Sequence, residues 1–124
     1  MSSKVLLSIK PEFAEKIFSG DKKYEYRRLT FKKHQIQTIV VYASSPIKKV
    51  VGEFEIEEII LDNLDSLWEN TRECSGISKD FFYNYFKDKE YGYAIKIGAA
   101  IKYSKPICLQ KKFNILPPQS FVYL

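Results

Sequence analysis

The stretch that most constrains the fold is residues 4–20, where a strand-like run leads directly into a helix with both ends marked. Residues 4–9, KVLLSI, are apolar and predict a buried strand. Pro11 follows, and proline is favoured at the first position of a helix because its missing N–H needs no partner there. Gly20 is typical of the position just after a helix end. The sequence therefore predicts a strand followed by one amphipathic helix.

Five further segments have the alternation or the apolar character of strands. They are residues 23–27, 38–42, 48–58, 91–97 and 101–109, the last of which predicts one or two short strands. The alternation breaks at Glu57 and Glu58, which predicts a β-bulge or a strand end. Two helices are predicted after Asn63 and Ser78, because both are good N-cap residues. About six short strands with two or three flanking helices indicate an α+β fold, a small mixed β-barrel.

The length and composition favour one ordered domain spanning residues 1–124. Charged residues make up 28% of the chain and hydrophobic residues 45%, which is not the composition of a disordered protein. No apolar run approaches the roughly 20 residues that span a bilayer, so no membrane is expected as a partner. The opening MSSKVLLSIKPEF lacks the features of a secretory signal, and a cytoplasmic location is expected.

Metal and cofactor chemistry is not expected from this sequence. His34 is the one histidine, so a typical zinc site or a Ser-His-Asp triad would depend entirely on it. Its surroundings, KKHQ, indicate a solvated loop. Cys74 and Cys108 have no metal-type spacing and are expected to be reduced thiols that are buried or idle. We therefore predict no metal site and no cofactor.

Charge is distributed unevenly along the chain, although the net charge is only +5. Residues 1–34 hold nine basic and four acidic groups, whereas residues 53–90 hold four basic and eleven acidic groups. This asymmetry indicates one positive face, which would attract phosphates. The alternative is that the basic and acidic segments pair with each other on folding. The acidic helical segment, residues 62–90, is also a possible surface for a protein partner.

The densest charges lie in SGDKKYEYRRL, residues 19–29. Strand alternation places Tyr24 and Tyr26 on one face and Glu25 and Arg27 on the other, where Lys22 joins them. A lateral Glu25–Arg27 pair would orient the guanidinium for two-pronged recognition of a phosphate or a base edge. The alternative is an ordinary surface ion pair worth less than about 1 kcal/mol.

Further candidates for binding a nucleic acid lie near predicted strand ends. Their side chains or backbone N–H groups could hold a phosphate or read a base edge. These residues are Lys10, Arg28, Ser44, Ser45, Gln119 and Ser120. Aromatic residues could also stack on exposed bases. The stacking candidates are Tyr42, Trp68 and Phe121, with core packing as the alternative for each. Core spacing places another set inside: Phe13, Phe18, Phe54, Phe81, Phe82 and Phe86.

Three segments together resemble the ASCH domain family, a branch of the PUA-like superfamily. They are LLSIKPEFAEKIFSGDKKYEYRR, VYASSPIKKVVGEFEI and PPQSFVYL, in that order along nearly the whole chain. Gly20, Lys22, Glu25 and Arg27 form the most specific part, and residues 118–121 form a second match. The resemblance implies a PUA-like β-barrel with a basic cleft that binds RNA or single nucleotides.

The resemblance also implies possible catalysis. One branch of the family removes the acetyl group from N4-acetylcytidine, and another member has been associated with ribonuclease activity. Gly20, Lys22 and Arg27 match that amidohydrolase branch, but its threonine position is Glu25 here, and Glu73 lies in the region of its helical acid. A carboxylate cannot replace a hydroxyl nucleophile, although it can act as a general base on water.

Two hypotheses therefore follow. The first is a nucleic-acid-binding module that recognises RNA or a modified nucleotide in a basic cleft. The alternative is a metal-independent hydrolase that acts on N4-acetylcytidine or RNA through Lys22 and Glu25.

Overall fold

The chain folds around one curled, mixed sheet. A computed structural model describes residues 3–31, 35–118 and 120–124. Within them the strands are Ser3–Ile9 (β1), Tyr24–Arg27 (β2), Ile36–Ala43 (β3), Lys49–Asn63 (β4), Tyr91–Ile107 (β5) and Phe121–Tyr123 (β6). The α-helices are Pro11–Ser19 (α1), Leu64–Thr71 (α2), Lys79–Tyr85 (α3) and Leu109–Phe113 (α4), with a 3₁₀ turn at Arg72–Cys74.

The strand order is β2-β5-β4-β3-β1-β6. Strands β1 and β3 run parallel, and the other neighbouring pairs run antiparallel. The sheet curls into a half-barrel, with β2 and β6 at its two edges. The predicted α+β fold of six strands with flanking helices is confirmed.

The local signals around the first helix are confirmed. Pro11 is the first residue of α1, and Gly20 ends the helix with a left-handed φ of 90°. The Gly20 N–H donates to the Ile17 carbonyl at 3.2 Å. Since a residue with a Cβ disfavours this conformation, glycine is what allows the chain to turn sharply here towards β2.

Both predicted N-caps are confirmed. The Ser66 N–H donates to Asn63 Oδ1 at 2.9 Å at the start of α2. The Phe81 N–H donates to Ser78 Oγ at 3.1 Å at the start of α3. These bonds satisfy N–H groups that have no partner within their own helix.

The second half of the chain departs from the predicted strand lengths. Strands β4 and β5 pair along most of their length. Register shifts in β4 let this long ribbon bend, and one of them, between Ile56 and Glu58, lies where the sequence predicted a break in the alternation. The prediction of a strand over residues 101–109 is wrong at its end. Leu109 begins α4, where it and Phe113 lie one helical turn apart and pack into the same apolar cluster.

Three apolar clusters cover the sheet. Helix α1 covers one face, where Val5, Leu7 and Ile39 are fully buried. Helix α4 covers the other side, where it meets Leu6 and Val40. Because the middle of β1 is buried on both faces, Val5, Leu6 and Leu7 form a continuous apolar run rather than an alternating one. The third cluster packs α2 and α3 against β2 and β5 through residues that include Leu67, Trp68, Phe82 and Phe86.

A prediction on stability follows from Gly92 in β5. A Cβ at this position would lie 2.6 Å from the ring of Phe86, which is fully buried. We expect Gly92→Ala to lower the free energy of unfolding by about 1–3 kcal/mol because the core is overpacked. Urea denaturation measures this loss. In the double variant with Phe86→Leu, the smaller side chain makes room for the methyl group, so the two losses should not add. If the two losses of unfolding free energy instead add, the contact between residue 92 and the Phe86 ring does not limit packing.

Candidate functional site

A cavity of about 380 Å³ opens beside the N-terminal end of α1, β2 and α3. Its polar lining includes four cations, one carboxylate and a serine from the region between β3 and β4. These residues are Lys10, Lys22, Glu25, Arg27, Arg28 and Ser44. Aromatic rings form much of the remaining wall, from Phe13, Tyr26, Phe81 and Tyr85. A positive, partly apolar cavity of this kind attracts a flat anionic ligand.

Lys22 is the most buried charged residue of the cavity, with 1% of its surface exposed. Its Nζ donates a 2.7 Å hydrogen bond to the Ser75 carbonyl, in the loop that follows the 3₁₀ turn. Gly76 lets that loop approach closely, because a Cβ there would lie 2.6 Å from Cγ of Lys22. The adjacent backbone is also fixed, since the Lys23 N–H donates to the Cys74 carbonyl at 2.8 Å.

Two aromatic rings complete the surroundings of the Lys22 ammonium. Nζ lies 5.3 Å from the centre of the Phe13 ring and 5.0 Å from that of Tyr26. Cation–π attraction of this kind strengthens when the groups are removed from water. The Tyr26 hydroxyl lies 2.7 Å from Thr71 Oγ1, which itself donates to the Leu67 carbonyl. Burial raises the pKa of Tyr26 to about 12, so the phenol is neutral at physiological pH.

Burial also lowers the pKa of Lys22 to about 8. The attraction of Glu25 opposes this shift, whereas repulsion from Lys16 and Arg27 adds to it. Lys22 is therefore mainly protonated at pH 7, yet it loses its proton more readily than an exposed lysine.

Glu25 and Arg27 form the predicted lateral pair, which is confirmed. Arg27 NH2 lies 3.1 Å from Glu25 Oε2 and donates at 2.9 Å to the Ser8 carbonyl, at the end of β1. Arg27 NH1 reaches Ser120 Oγ at 3.4 Å, and the buried Nε has no hydrogen-bond partner among the described residues. Glu25 Oε1 lies 3.9 Å from Lys22 Nζ. Glu25 is 7% exposed, so this is a buried ionic row rather than a surface ion pair.

Two cations at the mouth of the cavity lie over the aromatic wall. The Arg28 guanidinium is 4.4 Å from the centre of the Tyr85 ring, and its Nε donates to the Tyr85 carbonyl at 3.0 Å. Lys10 Nζ lies 5.2 Å from the centre of the Phe81 ring. The rings of Phe81 and Tyr85 are nearly parallel, with 9° between their planes. This surface places two flat rings between two cationic side chains, an arrangement that suits stacking and anion contacts.

Not all predicted binding residues lie at the cavity. Ser45 is exposed in the turn between β3 and β4 and does not line the cavity, whereas Ser120 lies at its edge through the contact with Arg27. Phe121 is half-buried, with its ring centre 5.8 Å from that of Phe31. Gln119 and His34 lie outside the described residues.

The proposed stacking role of Tyr42 and Trp68 is wrong. Tyr42 is 4% exposed among apolar residues near α4, and Trp68 is 7% exposed with its ring centre 5.0 Å from that of Phe82. Neither ring has a free face on which a base could stack. Phe81, which the sequence placed in the core, instead lines the cavity, whereas Phe13 packs against the core as predicted and also lines the cavity. Helical spacing alone could not show that Phe81 faces the cavity, because α3 has two apolar stripes that look equally buried.

The other chemically active residues lie elsewhere. Glu73 is exposed on the 3₁₀ turn and does not line the cavity. Cys74 and Cys108 are half-buried free thiols. No group of three histidine, cysteine or acidic side chains within residues 3–31, 35–118 and 120–124 is arranged to hold a metal ion. Over the same residues, no helix has both the length and the apolar character needed to cross a membrane.

Comparison with known proteins gives a consistent family. The ASCH domain model matches residues 7–106. An "ASCH domain-containing ribonuclease" of Zymomonas mobilis is 30% identical over 96% of this chain and 82% of its own length. The crystal structure of ASCH from Zymomonas mobilis superposes with a TM-score of 0.88 at 29% identity, covering 98% of this chain and 87% of that one.

Other matches are to longer or more distant proteins. Two Ureaplasma parvum proteins, named ATP synthase subunit alpha and large ribosomal subunit protein uL22, are 31% and 30% identical over 97% of this chain. The chain spans only 15% and 39% of their respective lengths. The N-terminal domain of McrB from Staphylothermus marinus shares the fold, with a TM-score of 0.57 at 16% identity over 94% of this chain and 82% of that one.

A prediction on pH dependence follows from Lys22. Because its folded pKa lies below the unfolded value, the unfolded chain binds more protons between pH 8 and 10.5, and this residue's contribution to stability rises with pH across that window. The shift from 10.5 to about 8, at about 1.4 kcal/mol per pH unit, amounts to about 3 kcal/mol.

Chemical denaturation of wild type and of Lys22→Met at pH 7 and pH 10 tests this pKa shift. We expect the free energy of unfolding of wild type, measured relative to the variant, to increase by up to about 3 kcal/mol between the two pH values. Lys23→Met, at the exposed neighbouring lysine, is the matched control. An unchanged difference between wild type and Lys22→Met would contradict the assigned burial of the charge.

Proposed function

The chain belongs to the ASCH domain family, and on that premise we propose that it is an RNA-binding module that takes one nucleotide into the cavity. The observation that carries this proposal is the combination of four cations with an aromatic wall around a space of about 380 Å³. Protein cavities that hold a nucleotide need cations for phosphate and flat rings for the base.

The similar proteins support an RNA-related role. The Zymomonas mobilis relative is named a ribonuclease, so its substrate is RNA, and it is matched over most of its length. One Ureaplasma parvum relative is named as a protein of the large ribosomal subunit. The charge of the cavity adds a physical reason. Its single carboxylate among the described lining residues is already paired with Arg27 and lies beside Lys22, so the four cations leave the lining positive and attractive to phosphate.

The placement of the side chains supports a division of roles. Arg28 and Lys10 lie at the mouth, where the phosphates of a strand would pass, and both are exposed. Lys22, Glu25 and Arg27 lie deeper and are largely withdrawn from water. Phosphate contacts therefore supply affinity at the mouth, and the inner row contacts the inserted nucleotide.

Arg28→Ala tests the proposed binding. We expect its affinity for a fluorescein-labelled single-stranded RNA heptamer to fall, because one phosphate contact is lost, with the slope of log affinity against log salt reduced by about 0.7. Fluorescence polarisation from 50 to 200 mM NaCl measures both quantities. Lys102→Ala is the control, since Lys102 is exposed but does not line the cavity. Wild-type affinity for the heptamer that does not change with salt would contradict the proposal.

Hydrolysis is a second candidate function, favoured by the lowered pKa of Lys22 beside a carboxylate 3.9 Å away. In RNA cleavage, Glu25 would accept the proton of the attacking 2′-hydroxyl, and the Lys22 ammonium would donate a proton to the departing 5′-oxygen. The same two groups could act on water and the leaving amine of N4-acetylcytidine. Both reactions need Lys22 in its charged form, which is lost as pH rises through about 8.

Incubation with 5′-labelled RNA and, separately, with N4-acetylcytidine tests this candidate. We expect any product formed to decline above pH 8 and to be lost in both Lys22→Met and Glu25→Gln, because the pair acts as acid and base. Lys23→Met is again the control. Product formation that survives both substitutions, or no product from either substrate at high protein concentration, would exclude hydrolysis by this pair.

A further inference from the structure

The inner row of the cavity alternates between hydrogen-bond donors and an acceptor. Lys22 Nζ lies on one side of the Glu25 carboxylate at 3.9 Å, and the Arg27 guanidinium lies on the other side at 3.1 Å. Protonated lysine and arginine can only donate, whereas an ionised carboxylate can only accept. The row therefore reads donor, acceptor, donor along the cavity lining.

Each member of the row is held in place by groups other than a ligand. The Ser75 carbonyl fixes Lys22 Nζ at 2.7 Å, and Gly76 packs against the stem of the same side chain. The Ser8 carbonyl fixes Arg27 NH2 at 2.9 Å, and that nitrogen in turn holds Glu25 Oε2. Fixed, water-excluded polar groups discriminate between ligands more sharply than mobile ones, because they cannot rearrange to suit a wrong partner.

Each member also keeps hydrogen-bonding capacity for a ligand. An ammonium has three protons, and Lys22 donates one of them to Ser75. The 3.9 Å separation between Nζ and Glu25 Oε1 is too long for a hydrogen bond, so Oε1 can accept from a ligand. At Arg27, NH2 is occupied by Glu25 and Ser8, but NH1 has only the long 3.4 Å contact with Ser120.

Only one of the four RNA bases offers the complementary edge. Uracil presents acceptor, donor and acceptor from O4, the N3–H group and O2. Guanine presents an acceptor followed by two donors, and cytosine presents a donor followed by two acceptors. Adenine presents one donor and one acceptor, with no third polar group on that edge. Each of these three can satisfy at most part of the row, so a buried donor or acceptor of the base or of the row loses a hydrogen bond, which is unfavourable.

We infer that Lys22, Glu25 and Arg27 select uracil, through its two carbonyl oxygens and the N–H group between them. This inference rests on the proposed function, because it concerns the base of the nucleotide that enters the cavity. Lys22 donates to one carbonyl oxygen, Glu25 accepts from N3–H, and Arg27 donates to the other carbonyl oxygen. Selection acts on a single unpaired base, since base pairing in a duplex occupies the same edge.

The test uses wild-type protein and seven-nucleotide single-stranded RNAs with three adenosines on each side of a central variable base. Polarisation titrations at fixed salt compare uridine, cytidine, guanosine and adenosine at the centre. We expect uridine to bind at least about tenfold more tightly than the other three, as a well-formed set of base contacts provides. Two modified bases sharpen the comparison. 3-Methyluridine, which lacks the N–H group, should bind as weakly as cytidine, whereas 5-methyluridine keeps the whole edge and should bind like uridine.

Each outcome decides a separate question. Equal binding of all four bases with clear salt dependence would overturn selection by the row but leave RNA binding intact. No binding of any heptamer at 50 mM salt would overturn the proposed function together with the selection. Glu25→Gln, with its fold checked by circular dichroism, should lose the preference for uridine, because the amide presents a donor as well as an acceptor. A retained preference in this variant would overturn the assigned role of Glu25.

Discussion

The burial of the Lys22 ammonium is the constraint on which the rest of the site depends. A charge removed from water is strongly unfavourable unless polar or ionic partners surround it. Here the partners come from separate parts of the chain: the Phe13 ring from α1, Glu25 and Tyr26 from β2, and the Ser75 carbonyl from the loop before α3. One amine therefore joins a helix, an edge strand and a loop, and the cavity exists because these three elements meet around it.

Local sequence signals predicted the parts of the fold that depend on local interactions. The start and end of α1 and the N-caps at Asn63 and Ser78 are each set by contacts within a few residues, so they could be predicted. The sequence could not predict the length of the β4–β5 ribbon or the helical conformation of residues 109–113. The ribbon length depends on pairing between distant strands, and the helix depends on an apolar cluster whose other members include residues of β1, β3, β4 and β5.

The candidate site likewise combines features that the sequence could predict with features that it could not. The Glu25–Arg27 pair follows from strand alternation, and the charge density of residues 19–29 pointed to it. The Ser8 and Ser75 carbonyls that hold the row could not be predicted, because any residue has a main-chain carbonyl. Gly76 is the one signal that could have indicated the close approach at Lys22. The uneven charge along the chain predicted the positive cavity only in part. Lys4 and Lys96 do pair with acidic residues from the middle of the chain, whereas the lysines and arginines that line the cavity do not.

The identity of residue 25 determines which chemistry the buried lysine can perform. Among the contributions to the pKa of Lys22, the attraction of Glu25 is the one that raises it, whereas burial and the two neighbouring cations lower it. A threonine at this position would remove that attraction and lower the pKa of the amine further. The amine would then become a better proton acceptor near neutral pH. With glutamate at position 25, Lys22 remains a cation at pH 7, and a buried cation is suited to donating hydrogen bonds to a ligand's oxygen atoms. The carboxylate that raises the pKa of Lys22 is also the acceptor at the centre of the row, so the charge of the lysine and the proposed base recognition both involve one side chain.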